Sequence, residues 1–110
     1  MREALDRLRR EDPDLVAALE TLRANVQRFA EGQRRALTDL ELPLPGGGAV
    51  GERWVPLERA GVYVPGGRAF YPSTLAMTVI PAQVAGVRRI VAVTPPRAGG
   101  VDSLVLACAA

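Results

Sequence analysis

Two short apolar runs, Gly61-Val62-Tyr63-Val64 and Arg89-Ile90-Val91-Ala92-Val93-Thr94, are separated by one helix-length interval, and that spacing restricts how the second half of the chain can fold. Pro65-Gly66-Gly67 stops the first run, a helix is expected from residue 72 or 73 to residue 85, and Gly86 stops it. Two buried strands joined by a helical crossover form a βαβ unit, which requires parallel strands and a right-handed connection. Pro81 falls inside that helix and should kink it or end its first half, because it lacks the N–H that the helix ladder needs.

The first third is different, rich in charge and helix formers where the remainder is rich in Gly, Pro and Val. Asp12-Pro13 pairs an N-cap with a first-turn proline, and Asp14 adds negative charge at the positive end of the helix dipole. Leu15, Leu19, Leu22, Val26 and Phe29 then recur at helical spacing on one stripe, while Glu20, Arg23, Gln27 and Arg28 fall mostly off it. This pattern predicts an amphipathic helix over residues 13–31, ending near Gly32, with a shorter helix over 2–10 before it. The stripe suits packing onto the chain's own sheet or against a partner helix; its short length and irregular flanking charges favour the sheet.

Residues 36–42 alternate loosely, as a strand would, before Pro43-Leu44-Pro45-Gly46-Gly47-Gly48 forms a loop or flexible connector. Trp54-Val55-Pro56-Leu57 is a short extended piece that Pro56 pushes toward a sheet edge. Asp102 is placed to cap a last helix. The expected fold is α/β in one domain, residues 1–110: a helical segment over 1–35, a loop with short strands over 36–60, and a βαβ portion with a parallel sheet over 61–110. At 48% apolar and 24% charged residues the composition is ordinary for a globular chain with a modest core.

The absence of histidine excludes a His-ligated zinc, a Ser-His-Asp triad or an imidazole base built from this chain alone. A single cysteine, Cys108, excludes an intramolecular disulfide and a multi-cysteine metal cage, fits a reducing cytoplasm, and is most simply a small core residue on a helix. All 14 basic residues are arginines, set against 12 acidic ones for a net charge of +2. Pairs occur at Arg9-Arg10, Arg34-Arg35 and Arg88-Arg89, but interleaved acids and only 5% aromatic residues argue against nucleic-acid binding. The start, Met1-Arg2-Glu3, carries both signs of charge with no apolar stretch behind it, and no run reaches 18 apolar residues, so neither a secretory signal nor a membrane span is expected.

A strand running into Pro65-Gly66-Gly67 and on to a helix is a place where backbone N–H groups could hold a phosphate, with Arg68 nearby. The run does not spell G-x-G-x-x-G, and no acidic residue closes the second strand, so a tight structural turn and a ligand-facing loop both remain open. Alternation places Tyr63 on the face opposite Val62 and Val64, where a half-buried sheet tyrosine is the simplest reading. Phe70 and Tyr71 are candidates for stacking on a planar ligand or for packing the loop onto the domain.

Glu58-Arg59-Ala60-Gly61-Val62-Tyr63-Val64-Pro65-Gly66-Gly67-Arg68-Ala69-Phe70-Tyr71-Pro72-Ser73 closely resembles histidinol dehydrogenase. The similarity continues in order through Met77, Ile80-Pro81-Ala82, Val84-Ala85-Gly86-Val87 and Ile90-Val91 to Val93-Thr94-Pro95-Pro96. Val26-Gln27-Arg28-Phe29-Ala30-Glu31-Gly32-Gln33 is similar to the family's upstream segment, with Ala30 where a histidine is usual. The resemblance implies an NAD-dependent, zinc-containing oxidoreductase of histidine biosynthesis that converts L-histidinol through the aldehyde to L-histidine as a homodimer with Rossmann-like domains. It further implies that the zinc ligands, the Glu-His pair that manages protons, the substrate-binding residues and an NAD-contacting glutamine all lie beyond Ala110, and the family's first helices before Met1. Residue by residue, only the tyrosine of Tyr-Val-Pro-Gly-Gly carries over, as a cofactor-binding residue for NAD at Tyr63; no catalytic residue and no metal ligand does.

The expectation is thus a Rossmann-like βαβ unit preceded by amphipathic helices, incomplete relative to the family and inactive alone. The alternative is a non-catalytic, oligomerising structural or interaction module derived from that enzyme. Exposed former interior drives association, so the expected partner is a second copy, joined by exchange of N-terminal helices, or a chain carrying the missing downstream domain.

Overall fold

The computed structural model describes residues 1–66, 71–96 and 100–110. In chain order these form α1 (Arg2–Glu11), α2 (Pro13–Ala36), β1 (Leu40–Pro43), β2 (Ala49–Glu52), β3 (Arg59–Tyr63), α3 (Pro72–Val84), β4 (Arg89–Val93) and α4 (Ser103–Cys108). β3 and β4 pair in parallel, from Arg59 opposite Arg89 to Tyr63 opposite Val93, with α3 as the crossover between them. The βαβ unit expected from the two apolar runs is therefore present. β1 and β2 form a separate antiparallel hairpin.

Local chemistry accounts for most element ends. The Asp12 carboxylate accepts the Leu15 N–H at 2.9 Å, closing the start of α2 with Pro13 in its first turn. α2 runs past Gly32 to Ala36, further than the apolar stripe suggests. Gln27 donates to Glu31 at 2.8 Å in the turn before that stretch, and Arg34 and Arg35 lie in the last turn, where positive charge suits the helix dipole.

α3 ends as Gly86 foretells. With φ of +91°, Gly86 donates its N–H to the Gln83 carbonyl while Val87 donates to Ala82, both at 3.0 Å, completing a Schellman closure. Pro81 does not end the helix midway. It sits one turn from the C-terminus, and its carbonyl accepts the Ala85 N–H at 2.9 Å. Asp102 caps α4 by accepting from Leu104 N–H at 2.8 Å.

The core is small. Val64, fully buried, meets Leu75 of α3 and Val105 of α4, with Val79 and Cys108 packed around them. Val62 and Val64 point to this covered side, α2 lies along α3, and α1 lies along α4. The stripe of α2 therefore packs on a helix and not on the sheet. Its buried positions are Val16 and Ala30, with Leu15, Leu19, Leu22 and Val26 half-buried and Phe29 70% exposed. At about 100° per residue, Phe29 lies a quarter turn from Ala30, which is small enough to let a neighbour approach.

The proline-glycine run is the loop expected there, closing the β1–β2 hairpin with Leu44 N–H donating to Gly48 O at 3.1 Å and Gly47 and Gly48 at φ of +89° and +82°. Two further expectations change. Residues 36–42 are not one strand: Ala36 completes α2 and β1 begins at Leu40. The piece after the hairpin joins no sheet; Trp54 is fixed instead by its N–H donating to Asp39 at 2.9 Å.

The largest correction concerns β4, which is not buried. Val91 and Val93 are 55% and 54% exposed, because α3 crosses the other face of the two-stranded sheet, and Ala92 on that other face is exposed as well. Parallel sheets normally have both faces covered. The molecule is also elongated, 67 × 27 × 23 Å with a radius of gyration of 18.8 Å, where a compact chain of this length has about 13 Å. It exposes 8374 Å² against about 5,900 Å² for a compact protein of its mass. Among the described residues no helix is long and apolar enough to cross a membrane.

Burial decides which substitutions matter. Leu75→Ala should cost about 2–5 kcal/mol of stability in urea unfolding, whereas Val91→Ala, an equally apolar strand position on the bare face, should cost less than about 1 kcal/mol. Burial also pushes the Cys108 thiol above its ordinary pKa by disfavouring the thiolate. The folded state then holds the proton more tightly than the unfolded one. Stability should be full below the ordinary thiol range and fall as pH rises through it toward the raised folded value, a decline that Cys108→Ala should remove when unfolding is measured across that range.

Candidate active-site fragment at the strand carboxyl ends

In open α/β sheets, ligands bind outside the carboxyl ends of the strands. Here those ends are Tyr63-Val64-Pro65-Gly66 after β3 and Val93-Thr94-Pro95-Pro96 after β4. Tyr63 and Val93 are register partners, so both side chains lie on the bare face. Tyr63 is 61% exposed, more open than the half-buried sheet tyrosine expected, because nothing in the described chain covers that face. One residue on, Val64 is wholly buried and its N–H donates to Val93 O at 2.8 Å. The phenol thus stands free on a backbone whose next residue is anchored in the core.

Gly66 lies where a side chain has no room. A Cβ there would lie 2.8 Å from Pro95 Cγ and 3.2 Å from Pro95 Cδ. The space that the glycine leaves is filled by Pro95, on the segment that follows β4. The φ of Gly66 is not positive, so the requirement is for room and not for an unusual backbone. Tyr71 is half-exposed and its carbonyl accepts from Thr74 N–H at 3.0 Å as the N-cap of α3. Gly67, Arg68 and Phe70 lie outside the described residues.

The donor set does not suit zinc. The sequence has no histidine, and no three Asp, Glu or Cys residues converge among the described residues. Cys108 faces the core and is not aimed at Tyr63's face. A shallow groove of about 330 Å³ on α2, lined by Asn25, Arg28, Phe29, Gly32 and Gln33, brings together one cation and neither an acid nor a nucleophile. Tyr63 offers an exposed aromatic face of the kind that can stack on a planar ring.

Sequence reasoning located Tyr63 and its face but not the contact between Gly66 and Pro95. The only available signal for that contact was the placing of a glycine and a proline just past two paired strands.

Residues 1–110 match the histidinol dehydrogenase family. The chain is 48% identical over 109 residues to a histidinol dehydrogenase of Nocardia farcinica, covering 97% of this chain and 23% of that protein. A histidinol dehydrogenase of Methanosarcina barkeri is 47% identical over 98 residues, 88% of this chain and 22% of that one. The crystal structure of histidinol dehydrogenase from Elizabethkingia anophelis superposes with a TM-score of 0.80 at 28% identity, covering 99% of this chain and 25% of that chain. The chain thus spans about a quarter of the length of the relatives it matches, and over that span sequence and fold agree: it belongs to the histidinol dehydrogenase family.

Proposed function

We propose that this chain forms the cofactor-contacting first βαβ unit of an NAD-dependent oxidoreductase acting on L-histidinol, and that it does not turn over substrate by itself. The observation that carries the proposal is the exposed phenol of Tyr63 at the carboxyl end of β3, on a chain that matches the family from end to end. When bound, NAD supplies the hydride acceptor. The chain's own contribution is orientation: burial of Val64 and its bond to Val93 hold Tyr63 in place, and the exposed ring offers a face to the cofactor. Zinc and an imidazole for proton transfer have to come from residues other than these, since the described donors do not fit either role. The free thiol of Cys108 is in keeping with a cytoplasmic setting.

Calorimetric titration of NAD into the pure chain should give saturable binding that Tyr63→Ala abolishes, and the chain with L-histidinol, NAD and zinc should form no NADH. Binding unchanged in Tyr63→Ala would overturn the assignment of the cofactor contact. Histidinol-dependent NADH formation would overturn the claim of inactivity.

A second reading is favoured by the shape. The surplus of about 2,500 Å² of exposed surface over a compact protein is the size of an obligate interface. In this reading the bare sheet face and extended helices associate with a second copy, or with a chain carrying the rest of the enzyme. Light scattering at high micromolar concentration should report a mass above that of one chain. A strictly monomeric mass would count against self-association.

A further inference from the structure

The parallel ladder between β3 and β4 stops for a chemical reason. Val64 N–H donates to Val93 O, so continuing the register makes the amide of residue 95 the next donor from the β4 side. Residue 95 is proline and has no N–H. Past Val64, therefore, the two exit segments have lost a rung. At that point the Pro95 ring fills the space left by Gly66, leaving only 2.8 Å between its Cγ and a Cβ placed there, and 3.3 Å from that Cβ to Pro95 O. The ring is stiff, and Pro96 holds Pro95 extended, so this neighbour cannot swing aside as a long side chain would.

We infer that Gly66 and Pro95 are a positioning pair: their contact replaces the missing rung, fastens the loops leaving β3 and β4, and so sets how Tyr63 is presented. Its functional consequence rests on the proposed role of Tyr63; the fastening itself does not. The pair explains why residue 66 is a glycine without invoking close approach of a ligand or a left-handed backbone. A methyl group at residue 66 has to push the β4 loop away, and the strain falls first on the adjacent bond from Val64 to Val93.

The test is a double-mutant cycle read by hydrogen exchange at the Val64 amide in Gly66→Ala, Pro95→Ala and the double variant. Because Pro95→Ala also returns an amide donor, the decisive quantity is the effect of Gly66→Ala in each background. With Pro95 present, Gly66→Ala should speed exchange at Val64 by roughly ten- to a hundredfold, as overpacking does. With alanine at 95 the same substitution should change exchange little. If Gly66→Ala fails to fold, recovery of the folded state in the double variant supports the pair. An equal effect in both backgrounds, or no effect of Gly66→Ala at all, overturns it.

NAD titration of the same variants separates the two claims. Weaker binding in Gly66→Ala that returns in the double variant supports control of Tyr63 by the pair. Absence of binding in the unsubstituted chain would defeat the cofactor reading, while the exchange cycle would still decide whether the loops are fastened.

Discussion

The burial of Val64 is what the rest of the molecule depends on. Its side chain is enclosed by Leu75 and Val105, which brings one strand and two helices to a single point, and its amide reaches across to β4. Without that contact the parallel pair would have little reason to form, since two parallel strands have no hairpin to hold them and need cover from a crossover helix. α2 and α1 join this centre indirectly, by lying along α3 and α4.

The same geometry leaves the opposite face bare. Among the described residues α3 packs on the sheet from the Val62 side, while Tyr63, Val91 and Val93 stand in solvent. In a chain whose relatives are about four times longer, such a face is open to a ligand or to further chain. The two uses are compatible at the carboxyl ends of the strands, where open α/β folds place ligands beside the elements that complete the sheet.

Fastening at that end is unusual in being steric. Proline at 95 removes the donor that would reach Val64 O, and an exit segment that has lost a rung of its ladder is held by packing instead. Packing of a stiff ring against a missing side chain gives one well-defined separation. It suits a loop that has to present an aromatic ring without being itself a strand.

Local signals in the sequence were sufficient for most elements. Asp12 with Pro13, Gly86 after α3, and Asp102 before α4 each act within one turn of where they stand, so their effect could be derived before any contact was known. The two apolar runs and the interval between them likewise required a parallel crossover, and the alternation of Val62, Tyr63 and Val64 assigned their faces. Tertiary structure alone decided which apolar residues are covered. Phe29 and Ala30 are neighbours on one helix, yet the alanine is buried and the phenylalanine is not; Val62 is buried while Val91, in an equally apolar run, is exposed. Periodicity identifies a face, but the burial of that face depends on which other surface arrives, and among the described residues the helices supply a surface to one side of the β3–β4 sheet.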